Sequence, residues 1–286
     1  MSILVRDVMV RDVAYVTIPG SRDDVLRTLQ EHKVSGVPVI KKGEVVGMIT
    51  RRDLLRNREE DQTALLMTRD AIVISPDKTV VEAARLLLEH DIRRLPVVED
   101  KRLVGIITVA DIVRVAAEMG IKEKVKPYLE KETLVLWSEM PLPIAGAIME
   151  YAGVQACPVI DTGLTLVGMI SDRDLIKASV IVDSVEKTDM SADGGADAWT
   201  WDPFVQTIKK YSTVSRTRLT TILVREATPP ALTAFKKDTV SQCAAVMHKK
   251  RIDQMPVITA GGRLTGMLKD RDILRGRVEE EKGKGR

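Results

Sequence analysis

Aromatic side chains are almost missing from this 286-residue chain: Phe, Tyr and Trp together make up 3%. Hydrophobic residues still reach 44%, so a core has to be built from Val, Leu, Ile, Ala and Met. Cysteine is scarce as well. Cys157 and Cys243 have no metal-like spacing and sit in apolar or helical pattern, so buried, reduced thiols and a cytoplasmic setting are the expectation. No apolar run approaches the roughly 20 residues needed to cross a bilayer. The start of the chain, Met1 to Arg6, lacks the apolar centre of a secretion signal. No membrane partner is therefore expected. A one-signed charge is also absent: 44 Lys and Arg face 41 Asp and Glu, a formal +3, with the signs alternating along the chain. A nucleic-acid binder would concentrate its basic residues in one stripe. His32, His90 and His248 fall near the ends of helical patterns, where a cation is favoured, and have no metal-ligand spacing. One Asn and six Gln beside 30% charged residues hint at a thermophile. The length suits about two domains of ordinary size.

What the chain does contain is repetition. Gly47-Met-Ile-Thr50-Arg-Arg-Asp53 recurs as Gly105-Ile-Ile-Thr108-Val-Ala-Asp111, Gly168-Met-Ile-Ser171-Asp-Arg-Asp174 and Gly266-Met-Leu-Lys269-Asp-Arg-Asp272. Each copy follows a proline opening an apolar run, at Pro38, Pro96, Pro158 and Pro256. The Pro-to-Gly spacings are 9, 9, 10 and 10 residues, and Gly to Asp is always 6. Two linked motifs recurring four times in order fix the architecture as a repeat protein.

In the second repeat, Ala71–Ile74 reads as a short strand and Ser75-Pro-Asp-Lys as a turn. Thr79-Val-Val-Glu82 is a capping box. Val80, Ala83, Ala84, Leu87 and Leu88 recur at helical spacing up to His90-Asp91. Leu95–Val98 and Leu103–Thr108 are strands joined by a tight turn, and a last helix runs from near Asp111 through Val115. The first repeat follows the same order, with a strand over Val13–Ile18, and so does the fourth, with Thr239-Val-Ser-Gln242 as its capping box. In the third, Met140-Pro-Leu-Pro143 is expected to disturb the helix start. The fold class is thus α/β, an α+β repeat of strand, helix, strand, strand, helix in which paired repeats bury a shared interface. The Pro-to-Pro intervals of 58, 62 and 98 residues place an insert near 181–218. It carries Trp199, Trp201, Phe204 and Tyr211 and reads either as a local cap on the third repeat or as a docking surface.

The Pro-Val-Ile/Val strand and the Gly-x-x-Thr/Ser-x-x-Asp signature resemble the CBS (cystathionine beta-synthase) domain. The resemblance covers residues 5–60, 65–120, 125–180 and 219–277, leaving the insert at 181–218 and a tail at 278–286. It implies two Bateman modules, repeats 1 with 2 and 3 with 4, forming a pseudo-fourfold disc as in the gamma subunit of AMP-activated protein kinase and archaeal stand-alone proteins built like it. It further implies adenine nucleotide binding (AMP, ADP or ATP, with S-adenosylmethionine next) in clefts between repeats. Occupancy would pass to a regulated partner protein, and a homodimer is compatible with this picture. By that resemblance Asp53, Asp111, Asp174 and Asp272 hold the ribose. Thr50, Thr108, Ser171 and Arg94 meet phosphate, with Lys269, Arg52, Arg173 and Arg271 as further phosphate candidates. Only repeat 2 has an arginine two residues before its proline; the matching positions are Gly36, Ala156 and Gln254. The chemistry agrees, since a helix N-terminus attracts anions and a carboxylate three residues on can accept ribose hydroxyls. The competing reading is purely local: Thr/Ser-x-x-Asp at a helix start is itself a cap worth about 1 kcal/mol. No Ser/His/Asp, Cys/His or paired-carboxylate set stands out, so no enzyme and no catalytic cofactor are expected.

Overall fold

The structure is a computed structural model describing residues 3–57, 59–130, 132–189, 209–219 and 221–284. In repeat 1, α1 (Val5–Val8) leads to β1 (Val16–Thr17), α2 (Arg22–Glu31), the hairpin β2 (Gly36–Lys41) and β3 (Glu44–Thr50), and α3 (Arg51–Arg56). Repeat 2 runs α4 (Thr63–Leu66), β4 (Thr68–Arg69), α5 (Val80–Glu89), β5 (Arg94–Glu99), β6 (Arg102–Thr108) and α6 (Val109–Glu118). Repeat 3 has β7 (Leu136–Trp137), α7 (Leu142–Tyr151), β8 (Ala156–Ile160), β9 (Leu166–Ser171) and α8 (Asp172–Lys177). An antiparallel ribbon, β10 (Ser179–Asp189) and β11 (Lys209–Leu219), occupies the insert. Repeat 4 follows with α9 (Val224–Ala227), β12 (Ala234–Phe235), α10 (Val240–Lys250), β13 (Gln254–Ile258), β14 (Leu264–Lys269) and α11 (Asp270–Lys284).

The expected order of elements holds in every repeat, with local corrections. The opening strand over Ala71–Ile74 shrinks to a single parallel bridge, Ile74 to Val97, and that over Val13–Ile18 to Val16–Thr17. The helix α6 begins at Val109, ahead of Asp111, and continues to Glu118. Prolines do not disturb α7. Pro141 is its N-cap and Pro143 lies in its first turn, where no N–H is needed and the ring's fixed φ suits a helix. Trp199, Trp201 and Phe204 lie outside the described residues, and Tyr211 lies on β11.

The chain divides into two compact units, Met1–Glu132 with Leu232–Ala260 and Thr265–Arg286, and Thr133–Ala231 with Gly261–Leu264. In the first, repeats 1 and 2 share a six-stranded sheet ordered β1-β2-β3-β6-β5, with β4 added to β3. Its largest core joins repeats 2 and 4: α10 packs on α6 and α11 on α5, burying Leu87, Ile112, Ala116, Met247, Ile273 and Leu274. The second unit has its own core around Leu136, Leu142, Met149, Val159, Ile170 and Val224.

Every repeat hands its lead-in segment to another repeat. Val10 pairs with Ile106 of β6, and Thr68 pairs with Met48 of β3. In the first unit Glu130 pairs with Met267 of β14; in the second the Pro229 carbonyl accepts from Met169 N at 3.2 Å. The recurring glycines explain themselves here. At Gly47, Gly105, Gly168 and Gly266 an added Cβ would stand within 3.0 Å of the carbonyl oxygen of that lead-in, a distance no side chain tolerates against backbone. The glycine is a docking groove for the exchanged segment.

Candidate functional site

Two kinds of helix start distinguish themselves. Those of α2, α5 and α10 carry complete capping boxes. Thr79 Oγ1 accepts from Glu82 N at 3.1 Å while Thr79 N donates to Glu82 Oε2 at 2.8 Å, and Ser21/Asp24 and Thr239/Gln242 repeat the reciprocal pattern. At α3, α6 and α8 the box geometry is present, but the hydroxyl makes no hydrogen bond to the helix. Asp53 Oδ2 accepts from Thr50 N at 2.8 Å and from Thr50 Oγ1 at 2.6 Å, so the hydroxyl is turned onto the carboxylate and makes no cap bond to the helix. Thr108/Asp111 and Ser171/Asp174 copy this, with hydroxyl bonds of 2.6 Å each. The backbone differs as well. Thr50, Thr108 and Ser171 end β3, β6 and β9 with φ of −128°, −127° and −129°, whereas Ser21, Thr79 and Thr239 leave loops at −103°, −78° and −87°. The hydroxyls of Ser21 and Thr79 also meet their carboxylates, at 2.8 and 3.0 Å, so what sets the strand-ending group apart is the missing bond from the third helical amide. That amide is one a helix leaves without an internal partner.

Asp53 and Asp111 each use one oxygen in this arrangement, and among the described residues the other accepts no hydrogen bond. Asp174 Oδ1 has Lys177 Nζ at 3.5 Å, and Asp272 Oδ1 has Arg275 Nη1 at 3.2 Å. Asp272 is also only 4% exposed, and burial pushes its carboxyl above the ordinary range.

The strand register brings the remaining residues together. Gly36 pairs with Thr50 and Arg94 with Thr108, and the Arg94 side chain crosses from repeat 2 into repeat 1. Its Nη2 donates to Ser35 Oγ at 2.6 Å, and it fills the space that a side chain at Gly36 would need. Burial pulls the pKa of this guanidinium below the usual arginine value, helped by the like charges of Arg93 and Arg51. Among the described residues it has no carboxylate partner. A half-buried cation beside other cations favours an anion. The register and the Arg94 contacts thus bring Arg94, Thr50 and Thr108 together where repeats 1 and 2 meet, with Asp53 and Asp111 three residues beyond the two hydroxyls.

Other candidates are placed elsewhere. The Arg271 guanidinium closes the C-terminal end of α5, donating to the carbonyls of Leu87 (3.3 Å) and Ile92 (3.1 Å) and pairing with Asp91. Arg52 lies near enough to Asp91 to help hold its carboxyl low, after Arg271. Arg173 is exposed. Lys269 is ion-paired with Glu130. Ser35, Arg51 and Arg93 were missed from sequence; the Arg93-Arg94 doublet was the available signal. Among the described residues no cluster of three His, Cys, Asp or Glu could hold a metal, and no helix is long and apolar enough to cross a membrane.

The CBS domain family model matches residues 5–60, 63–118, 125–181 and 224–279. A relative from Methanocaldococcus jannaschii, the uncharacterized protein MJ1225, is 26% identical over 192 residues, 60% of this chain and 69% of that protein. Its crystal structure superposes with a TM-score of 0.65 at 20% identity, covering 96% of this chain and 100% of that one. A conserved protein from Pyrococcus horikoshii gives 0.67 at 26% identity, over 96% and 99%. The inosine-5'-monophosphate dehydrogenase of Korarchaeum cryptofilum is 36% identical over 108 residues, 36% of this chain but 22% of the enzyme. With the family model matching all four repeats, and each built from the same hairpin, glycine-held lead-in and strand-ending helix start, this chain belongs to the CBS domain family.

Proposed function

We propose that the protein is a regulatory sensor, not an enzyme, that binds an adenine nucleotide in the cleft between repeats 1 and 2 and passes its occupancy to a partner protein. The observation that carries this reading is Arg94, a half-buried guanidinium that has no carboxylate partner among the described residues. It stands in register with Thr108, and the nearby Asp53 and Asp111 each keep one oxygen open. Phosphate would lie against Arg94 and Ser35, within reach of Arg51. Asp53 or Asp111 would accept ribose hydroxyls. The hydroxyls of Thr50 and Thr108 would rotate from their carboxylates to donate to phosphate oxygens. AMP, ADP and ATP would compete for this one cleft, making the readout their ratio. S-adenosylmethionine, which lacks a phosphate and carries a sulfonium cation, fits a cluster of three arginines less well. Asp174, with Ser171 and Arg173, forms a further candidate position in repeat 3. A cytoplasmic setting and a protein partner belong to the same proposal.

Isothermal titration of the full chain with AMP, then ADP, ATP and S-adenosylmethionine, tests it. The expected result is micromolar binding of a nucleotide, abolished by Asp53→Ala together with Asp111→Ala in a chain that still melts cooperatively. No heat and no thermal stabilisation with any of the four ligands would leave these motifs as helix starts in an interaction scaffold.

A further inference from the structure

Repeat 4 departs from the pattern of the other three at two places, and the two departures touch. Where the others have Thr50, Thr108 and Ser171, it has Lys269. Each of these residues stands two positions beyond the strand residue that receives a lead-in: Met48, Ile106, Met169 and Met267. The lead-in residues opposite are Thr68, Val10, Pro229 and Glu130, so the one acidic lead-in meets the one lysine. Glu130 is fixed there by two backbone bonds with Met267, each 2.9 Å, and by the close approach of its carbonyl to Gly266. Its carboxylate is ion-paired with the Lys269 ammonium, and its charge is also felt by the buried Asp272 carboxyl.

We propose that repeat 4 supplies its own anion: the Glu130 carboxylate stands where repeats 1–3 leave their helix start open to a ligand, and the Glu130–Lys269 pair fastens the repeat-3 lead-in and closes that motif to nucleotide. Charge accounting makes the pair asymmetric. Without Lys269, Glu130 faces the buried Asp272 as one carboxylate against another. Without Glu130, Lys269 still has Asp272 nearby. Loss of the lysine is therefore the harmful change, and loss of the glutamate should suppress it.

Melting of the full chain carrying Lys269→Met, Glu130→Val or both tests the pairing. Lys269→Met should lower the midpoint by roughly 2–6 °C at low salt, and adding Glu130→Val should recover at least half of that fall. Equal and additive losses from the two single changes would overturn the proposal. A second arm rests on the nucleotide reading and counts bound AMP. The Glu130→Val/Lys269→Thr chain, which rebuilds the repeat-2 combination, should bind one AMP more than the unaltered protein. If Lys269→Met instead lowers the count, repeat 4 is a live site and the proposal fails. If no form binds AMP, the nucleotide reading fails and the melting arm alone decides the pairing.

Discussion

Arg94→Gln separates a ligand-binding arginine from a structural one, because the two roles give opposite signs. In the free protein Arg94 gains one hydrogen bond to Ser35, worth about 1 kcal/mol. Against this stand its burial and the repulsion of Arg93 and Arg51, which already pull its pKa below the usual arginine value. Glutamine keeps a polar donor and discards the charge, so the stability change should stay within about 1 kcal/mol of zero, with either sign allowed. Nucleotide binding should respond far more strongly. A phosphate that loses a charge-assisted contact in a desolvated cleft loses about 2–4 kcal/mol. At 1.4 kcal/mol per tenfold, that is roughly a 30- to 700-fold rise in Kd. Titration with AMP beside thermal melts with and without AMP reads both quantities on one sample. An affinity within about threefold of the unaltered chain, together with a midpoint lowered by roughly 5 °C or more, would refute the reasoning and make Arg94 a structural strut.

Four further outcomes follow from the same geometry. Thr79→Ala should cost about 1 kcal/mol, because its hydroxyl accepts from Glu82 N, whereas Thr50→Ala, which removes no helix cap bond, should cost less; chemical denaturation compares them. Glu82 is held near pH 2 by the Thr79 backbone N–H and Lys78, below its ordinary 4.5. The stability it supplies is complete above pH 4.5 and is lost as pH falls toward 2, so the midpoint difference between the unaltered chain and Glu82→Gln should shrink over that window. Gly47→Ala drives a Cβ to 2.6 Å from the Thr68 carbonyl oxygen and should cost about 1–3 kcal/mol in melts, with the repeat-2 lead-in losing protection in hydrogen exchange. Cys157 and Cys243 are buried and their thiols are pushed up to about 12, so neither should react with a disulfide reagent at pH 8 until the chain unfolds.

The hairpins, helices and recurring motif were legible because each rests on local chemistry: alternation, capping residues and a proline at fixed distance from a glycine. What the sequence concealed was long-range. Nothing in the run Val125–Glu130 announces that it docks on β14, since the partner strand lies more than a hundred residues away. The packing of α10 and α11 on α6 and α5 was hidden for the same reason. The Thr/Ser-x-x-Asp motif was visible, but its orientation was not. Thr50-x-x-Asp53 and Ser21-x-x-Asp24 look alike in one dimension; both hydroxyls meet the carboxylate, but of the two only Ser21 also accepts from the third helical amide.

The Arg93-Arg94 peptide shows how an occupied cleft would differ from an empty one. Arg94 faces the cleft. Its neighbour Arg93 accepts the first amide of α6 with its carbonyl, Val109 N at 3.1 Å, and pairs through its guanidinium with Asp270 at 2.5 Å. Asp270 opens α11 and is 5% exposed, so the pair is tightly enclosed on one side. An anion drawing Arg94 toward phosphate pulls on a peptide whose adjacent residue holds the starts of two helices from different repeats. A ligand shifts an equilibrium only by its differential affinity for two arrangements. On the proposed reading Arg94 would supply that difference, its guanidinium being better satisfied with an anion bound than without one. At the start of α11 the Lys269 ammonium is ion-paired with Glu130 of the same compact unit. On the proposed reading repeats 1 and 2 would hold the responsive joint and repeat 4 the fixed one.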